Sequence, residues 1–337
     1  MTAFDARATA DRLAAESTRW DISDVVAADD GDIPVVDVGP WFETGDADAL
    51  EDAASVLRTA LEEVGFHQLV GHGVPAELTD GILDLTRRFH ALPLPVKRTV
   101  VIDQPGFPIP SIGYMPIGTR KLPTRERGNP NEAFLVKRDR GIGFDDNRWP
   151  ADEVLPGFRA GVEEYATTME RLALRLLPVF ARALDLDRDW FAPAFEQPFW
   201  RLRMTHYPGA LVDDAELGDV GIPPHVDTTF LTLLLAGGPG LTIYSRRRDR
   251  WILAPVERGA FIVNSGELLR QWSNDRVLST RHFADNPTPE SRYAVPFFFN
   301  ATADFPMACL PSCHGPGNPP RYPTISYLGS QGVAQGE

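Results

Sequence analysis

The chain has 337 residues, of which 43% are apolar and 24% charged, so it is long enough to bury one large core. Its 47 acidic residues outnumber its 33 basic residues and give a net charge of −14, which argues against a nucleic-acid partner, because phosphate binding needs a surplus of Lys and Arg on one face. No stretch approaches the roughly 18 consecutive apolar residues that span a bilayer, and two cysteines are too few for a disulfide framework, so we expect neither a membrane partner nor an oxidising compartment.

The first half of the chain is predicted to alternate helices with short strands. Residues 1–30 can form a short amphipathic helix. Residues 1–20 lack the basic start and apolar middle of a secretion signal, so we expect a cytoplasmic protein. Apolar residues at helical spacing predict helices at 50–64, 76–92 and 158–176, the last of them reaching Pro178, which can kink it. Short strands are predicted at 33–38 and 66–70.

Residues 102–150 are rich in Pro, Gly and charge, and they show no sustained period. A segment this long without regular structure is usually functional or mobile. We expect it to fold over a site.

After residue 199 short apolar runs alternate with turn signals. They predict strands at 200–207, 230–235, 241–244, 251–253, 260–263 and 293–300. Regularly spaced short strands are typical of a sandwich or barrel, so the chain is predicted to be α+β with a mainly β core in its second half. We expect one compact catalytic unit, in which residues 1–150 pack on a core formed by residues 151–337.

The tripeptide His225-Val226-Asp227 is the first candidate for chemistry. Residues i and i+2 of a strand point to one face, so the imidazole and the carboxylate can converge on one point. Taken alone, such a pair is more often an ordinary polar pair than a metal site. A second histidine, His282, follows after several predicted strands. Two histidines and one carboxylate on one face of an octahedron leave three positions open for oxygen chemistry at Fe(II).

Arg292 stands at the head of the apolar strand that continues to Asn300. A buried guanidinium needs an anion, and its planar fork fits a carboxylate with two parallel hydrogen bonds. The alternative is an arginine that reaches from the strand end to solvent. The presence of both histidines favours the anion site.

Further stretches surround these residues in a fixed order. They are residues 33–37 (IPVVD), 65–75 (GFHQLVGHGVP), 113–114 (GY), 131–134 (NEAF), 203–208 (RMTHYP), 259–267 (GAFIVNSGE) and 271–274 (QWSN). In this order and spacing, together with His225, Asp227, His282 and Arg292, nearly the whole chain resembles the isopenicillin N synthase-like branch of the iron(II)- and 2-oxoglutarate-dependent dioxygenases.

The resemblance implies a double-stranded β-helix, or jelly roll, flanked by N-terminal helices. It implies His225, Asp227 and His282 as the iron ligands, which carry the catalysis. Arg292 would bind the distal carboxylate of 2-oxoglutarate, and Tyr207 would help to hold the same group. The activity implied is hydroxylation, desaturation or cyclisation of a small molecule through abstraction of hydrogen from a C–H bond. Fe(II), 2-oxoglutarate and O₂ would be required, with ascorbate as support. By analogy with the family we expect a role in secondary metabolism, and the default oligomeric state is a monomer.

One departure from the family concerns the cosubstrate. The family pattern is Arg-x-Ser, whereas this chain has Arg292-Tyr293-Ala294. Because residues 292 and 294 share one strand face, Ala294 replaces a hydroxyl that normally supports the arginine. The loss of one hydrogen bond to a charged acceptor costs roughly 1.5–3 kcal/mol if nothing replaces it. Thr205, where an Asn is more usual, is a smaller departure.

Two alternatives to the 2-oxoglutarate oxygenase stay open. The first is an Fe(II) oxidase of the isopenicillin N synthase type, which takes all its electrons from the substrate and grips a substrate carboxylate with Arg292. The second is a non-catalytic, cupin-like binding module. The complete set of His225, Asp227 and His282 argues against the second, because a degenerate site should lose ligands first.

The candidates for the substrate-binding wall are three aromatic residues near the expected cover of the site. They are Tyr114, Phe134 and Phe230. Each could equally be core, and for Phe230 core is favoured. His90 is expected at a helix surface. His206, beside Tyr207 on a strand, is expected to point away from the cosubstrate.

Overall fold

The computed structural model describes residue 22 and residues 24–102, 112–119, 128–138, 147–209 and 221–330. The helix expected within residues 1–30 lies mostly outside the described residues. The part of it that is described contains a strand, Val25–Ala27, instead. The expected cover at residues 102–150 is described only in part.

The helices are concentrated in the first half of the chain, as the helical spacing of apolar residues predicts. Within the described ranges they are α1 (Gly39–Thr44), α2 (Ala47–Thr59), α3 (Ala76–His90), α4 (Leu94–Lys97), α5 (Phe158–Ala183), α6 (Glu267–Trp272) and α7 (Tyr327–Ser330). The same ranges contain a short π-helix at Ala60–Val64 and 3₁₀ turns at Arg98–Val100, Ala192–Phe195 and Pro311–Cys313. Both α2 and α3 pack against α5, which continues through Pro178. In the described part of the chain, none of these helices has the length and apolar character needed to cross a membrane.

Thirteen strands form two sheets within the described residues. They are β1 (Val25–Ala27), β2 (Val35–Asp37), β3 (Phe66–Val70), β4 (Gly113–Met115), β5 (Glu132–Lys137), β6 (Pro198–Tyr207), β7 (Ile222–His225), β8 (Leu231–Ala236), β9 (Leu241–Ser245), β10 (Arg250–Leu253), β11 (Phe261–Ser265), β12 (His282–Ala284) and β13 (Arg292–Thr302). One sheet has the order β1-β10-β9-β12-β7, and the other has the order β2-β3-β11-β8-β13-β6-β5-β4. The predicted α+β fold with a jelly-roll core is confirmed. The strands β1, β4, β5, β7 and β12 are not predicted by the sequence pattern.

The larger sheet separates the helical core from a cavity. Side chains alternate between its two faces, as strand geometry requires. On β8, Leu231 and Leu233 belong to the apolar core, whereas Thr232 and Leu234 line the cavity. The same alternation holds on β6 and β13, where residues 201, 203, 205 and 207 and residues 292, 294, 296 and 298 line the cavity.

Strand register brings the predicted site residues together. His282 on β12 lies opposite His225 on β7. On the larger sheet, Arg292 of β13 lies opposite Tyr207 of β6, and Ala294 lies opposite Thr205. Residues distant in sequence therefore meet at one cavity because two antiparallel strand pairs hold them in register.

Candidate active site

The two predicted histidine ligands face each other across β7 and β12, with ring centroids 4.4 Å apart. Each ring pairs its Nδ1 with the carbonyl oxygen of the residue two positions earlier, Pro223 at 2.9 Å for His225 and Thr280 at 3.2 Å for His282. A carbonyl can only accept, so each Nδ1 carries the proton. The lone pair of each Nε2 is then free to bind a metal, as it is in typical histidine ligands.

Asp227 completes the cluster from a position just beyond the end of β7. Its Oδ1 lies 3.8 Å from Nε2 of His225 and 3.8 Å from Nε2 of His282. Its Oδ2 accepts hydrogen bonds from Thr232 Oγ1 at 2.7 Å and Asn264 Nδ2 at 2.9 Å. Burial raises the pKa of Asp227, but the two imidazoles and these hydrogen bonds outweigh burial and hold the pKa below its usual range. The carboxylate is thus oriented and ionised, with one oxygen directed at the histidines.

These three groups suit a divalent first-row metal. The ligand atoms lie within 4.8 Å of one another, so one ion can reach all three. Imidazole nitrogens and one carboxylate oxygen are the donors that Fe(II) oxygenases use, and three ligands leave coordination positions open. His225, Asp227 and His282 all line the cavity, so the open positions face the space where a ligand would lie.

A second cluster with metal-ligand chemistry, formed by His90, Glu132 and His206, has a different character. Lys97 Nζ contacts both oxygens of Glu132, at 3.0 and 2.8 Å, and Tyr114 donates its hydroxyl proton to the same carboxylate. Burial raises the pKa of Glu132, but the hydrogen bond from His206 and the nearby His90 and Lys97 outweigh burial and lower the pKa far below its usual range. The ammonium already neutralises the carboxylate, so this cluster is a buried ion-pair network. His90 is buried within it, and its expected place at a helix surface is wrong.

Arg292 lies at the other end of the cavity, with only 4% of its surface exposed. Its Nε donates to the carbonyl of Gly238 and its Nη1 to the carbonyl of Asp285, both at 3.2 Å. Its guanidinium carbon lies 4.7 Å from the ring centroid of Tyr207. Burial lowers the pKa of Arg292, yet a guanidinium stays charged in proteins. Among the described residues no carboxylate lies within ion-pair distance of it, so the cation is available to an anionic ligand.

The cavity that joins these groups has a volume of about 170 Å³. Tyr207 and Ala294 line it, as the cosubstrate prediction requires. Asn129, Arg201 and Arg203 also line the cavity, although the sequence pattern did not single them out. The signal for the two arginines was present: once Tyr207 is placed toward the cosubstrate, strand alternation directs residues 205, 203 and 201 to the same side.

The three aromatic residues predicted to form the substrate wall do not line the cavity. Tyr114 directs its hydroxyl to the buried Glu132. Phe134 packs against Phe89, with ring centroids 4.6 Å apart, because its neighbour Leu135 takes the cavity face of β5. Phe230 is fully buried in an aromatic cluster of the core, which contains Phe180, Phe191, Phe195 and Trp272. The prediction of a substrate wall formed by these three residues is therefore wrong.

Comparisons with known proteins bear on what this arrangement does. A family profile described as the non-haem dioxygenase in morphine synthesis N-terminal region matches residues 33–152, and the 2OG-Fe(II) oxygenase superfamily profile matches residues 200–301. A 2-oxoglutarate-Fe(II) type oxidoreductase from Emericella nidulans is 31% identical over 307 residues, which cover 87% of this chain and 86% of that protein. The chain belongs to the 2OG-Fe(II) oxygenase superfamily. It is a non-haem dioxygenase that uses Fe(II), 2-oxoglutarate and O₂, which confirms the predicted enzyme class and cofactors.

One further relative and one solved structure of similar fold extend the comparison. Validamycin A dioxygenase from Streptomyces hygroscopicus subsp. limoneus is 29% identical over 306 residues, which cover 85% of this chain and 82% of that protein. The crystal structure of a full-length Neurospora crassa protein in complex with alpha-KG matches with a TM-score of 0.81 and 23% identity, covering 91% of this chain and 97% of that chain. The structural likeness confirms the jelly-roll fold. The matches do not favour the oxidase that works without 2-oxoglutarate.

Proposed function

We propose that His225, Asp227 and His282 hold the Fe(II) of this oxygenase, and that Arg292 and Tyr207 bind the distal carboxylate of 2-oxoglutarate. The observation that carries the proposal is the convergence of two imidazole Nε2 atoms on one carboxylate oxygen at 3.8 Å, in a cavity that also contains a buried guanidinium without a carboxylate partner in the described chain.

The reaction proposed is oxidation of a C–H bond in a small molecule, by hydroxylation, desaturation or cyclisation. Bound Fe(II), 2-oxoglutarate and O₂ together supply the oxidising power, and 2-oxoglutarate leaves as succinate and CO₂. The chain's own residues fix the geometry of the site. Thr232 and Asn264 orient the Asp227 carboxylate, and backbone carbonyls set the tautomer of each histidine. Apolar side chains such as Leu234 and Phe298 line part of the cavity and limit the access of water to it.

The oxidase that takes all its electrons from its substrate is the second candidate, and Ala294 is the feature that raises it. However, Thr205, directly opposite Ala294, brings a hydroxyl to the same level of the cavity and can replace the missing serine. The relatives also support the reaction that uses 2-oxoglutarate over the oxidase.

One assay separates these functions. Metal-free protein receives Fe(II), ascorbate and labelled 2-oxoglutarate with a panel of small molecules, and succinate formation and oxygen uptake are followed. Succinate formed together with oxygen uptake supports the proposal, oxygen uptake without succinate supports the oxidase, and metal binding without turnover supports a binding module. Asp227→Ala should abolish both iron binding and activity, whereas Asp84→Ala, on the exposed face of α3, should preserve both. Full activity in Asp227→Ala would contradict the ligand assignment.

A role in secondary metabolism fits the fungal relatives. The cytoplasmic location and the absence of a nucleic-acid partner, both expected from the sequence itself, stay predictions. So do the monomeric state, a supporting role for ascorbate and the division of the chain at residues 150 and 151.

A further inference from the structure

Strand β6 presents more positive charge to the cavity than iron and 2-oxoglutarate require. Arg201 and Arg203 lie on the same strand face as Thr205 and Tyr207, and all four residues line the cavity. Neither arginine has a role in the proposed binding of iron or 2-oxoglutarate.

Arg203 is a buried cation that forms no ion pair with any carboxylate in the described part of the chain. Only 4% of its surface is exposed, and its Nη2 donates to a neutral group, Asn131 Oδ1, at 2.8 Å. Its Nε is buried and has no hydrogen-bond partner. In the part of the chain that the structure describes, no carboxylate lies within ion-pair distance of it. An unpaired buried charge is strongly unfavourable, so a protein that keeps one usually offers it to a ligand.

Two neighbours on the cavity wall share this unsatisfied state. Asn129 is 1% exposed, and both its amide nitrogen and its amide oxygen lack hydrogen-bond partners. Arg201 also has a buried Nε without a partner, and its guanidinium carbon lies 5.8 Å from the ring centroid of Phe298. Most buried polar side-chain atoms in native proteins have a hydrogen-bond partner. Here Asn129, Arg201 and Arg203 line one cavity, and each has at least one buried nitrogen without such a partner.

The charges of the occupied site point to the class of ligand. Among the described residues, the cavity lining contains three guanidinium groups, those of Arg201, Arg203 and Arg292, and one carboxylate, that of Asp227. The two charges of Fe(II) and the two charges of the 2-oxoglutarate dianion cancel. An excess of positive charge therefore remains after both are bound, which an anionic substrate would neutralise and a neutral substrate would leave uncompensated.

We infer that Arg203, with Arg201 and Asn129 beside it, binds a carboxylate of the substrate. The inference rests on the proposed function and names the substrate class of the same site. A carboxylate matches the planar donor fork of arginine. Its single charge also costs less free energy to desolvate on burial than the two charges of a phosphate dianion. The apolar part of the substrate then lies against side chains such as Leu135 and Phe298, which line the same cavity.

Binding of matched probe pairs tests the inference without turnover. The protein is loaded with Mn(II) and saturating 2-oxoglutarate, and calorimetry measures the affinities of acetate and acetamide, isobutyrate and isobutyramide, and benzoate and benzamide. We expect at least one carboxylate to bind about tenfold or more tightly than its amide, and Arg203→Met to remove that difference. No preference for a carboxylate in any pair would overturn the inference. Tighter binding of phenyl phosphate than of benzoate would overturn the choice of a carboxylate.

The stability of the ligand-free protein separates a binding role from a structural one. Arg203→Met removes an uncompensated buried charge, so its denaturation midpoint should equal or exceed that of the wild type. The matched variant Arg270→Met removes an arginine that is paired with Glu267 at 2.8 Å and with Asp275, so its midpoint should fall. An equally large fall in Arg203→Met would make Arg203 structural and overturn the inference.

Binding measurements on the same wild-type protein distinguish a failure of the proposed substrate class from a failure of the proposed function. Wild-type protein that binds Mn(II) and 2-oxoglutarate but does not prefer carboxylates contradicts only the substrate class. Wild-type protein that binds neither contradicts the proposed function itself.

Discussion

Thr205 and Ala294 lie directly opposite each other on the neighbouring strands β6 and β13, and both line the cavity. The Thr205 hydroxyl is buried and has no hydrogen-bond partner. The family pattern has a serine at the position of Ala294, two residues after the arginine that binds 2-oxoglutarate. Facing residues on adjacent antiparallel strands have Cβ atoms about 5 Å apart. Thr205 therefore supplies a hydroxyl at this level of the cavity, from the strand opposite Ala294.

This relationship predicts that Thr205 supports the binding of 2-oxoglutarate. Thr205→Val keeps the shape of the side chain and removes its hydroxyl. The affinity of the Mn(II)-loaded protein for 2-oxoglutarate, measured by calorimetry, should fall by about tenfold or more, because a hydrogen bond to a charged acceptor contributes roughly 1.5–3 kcal/mol. Adding Ala294→Ser to this variant should restore much of the affinity.

The matched control is Thr242→Val, which removes a buried threonine hydroxyl on β9 outside the cavity lining and should leave the affinity unchanged. An unchanged affinity in Thr205→Val would show that the hydroxyl has no part in cosubstrate binding.

A second prediction concerns the support of the metal ligands. Thr232 donates to Oδ2 of Asp227 at 2.7 Å and thereby directs Oδ1 toward the histidines. Thr232→Val should weaken metal binding by about 10- to 100-fold, the usual effect of removing a residue that orients a ligand. Titration with Mn(II) measures the change. Thr229→Val is the control, because Thr229 pairs with the Thr232 hydroxyl at 3.0 Å and reaches Asp227 only through it, so its effect should be smaller. Equal affinities in Thr232→Val and the wild type would contradict this role.

The sequence pattern correctly predicted those site residues whose positions follow from the alternation of side chains along a strand. His225, Asp227 and His282 meet as expected, although β7 ends at His225, so Asp227 is positioned beyond the strand rather than on it. Arg292 and Tyr207 also share the cavity, because each stands on a long strand whose alternation can be counted. The strands β7 and β12 were missed because they have only four and three residues, too few to establish a period.

Other features of the site depend on contacts between residues far apart in the chain, and the sequence pattern does not predict these. Phe134 and Leu135 are both apolar, so the period does not reveal which of them faces the cavity when both faces of a strand are buried. His90 was expected at a surface, but Lys97 and Glu132, from two other elements, bury it in an ion-pair network. Whether an arginine such as Arg203 has a counter-charge likewise depends on residues far away in the chain, so its unpaired state emerges only from the fold.

A third prediction follows from His67, which is fully buried on β3. Burial lowers the pKa of His67 from 6.5 to about 3. Below pH 6.5 the unfolded chain binds a proton at this residue, whereas the folded protein does not until about pH 3. Acidification across this window therefore favours unfolding, by about 1.4 kcal/mol per pH unit from this residue.

His67→Phe removes the titrating group, so its free energy of unfolding should depend less steeply on pH between 6 and 4 than that of the wild type. Urea denaturation at a series of pH values measures both slopes. His314→Gln, at an exposed position, should keep the wild-type slope. Parallel curves for His67→Phe and the wild type would mean that His67 is not kept neutral by burial.

The last prediction tests the corrected role of Phe134 against its neighbour. Phe134 packs with Phe89 and Phe158 at centroid distances of 4.6 and 5.2 Å, on the core side of β5. Phe134→Ala should lower the free energy of unfolding by about 3–5 kcal/mol, the usual cost of a large cavity in an aromatic core. It should leave the affinities for 2-oxoglutarate and for the carboxylate probes unchanged. Leu135→Ala, one position along and on the cavity face, should change the probe affinities. If Phe134→Ala altered those affinities without loss of stability, Phe134 would be a substrate-contacting residue after all.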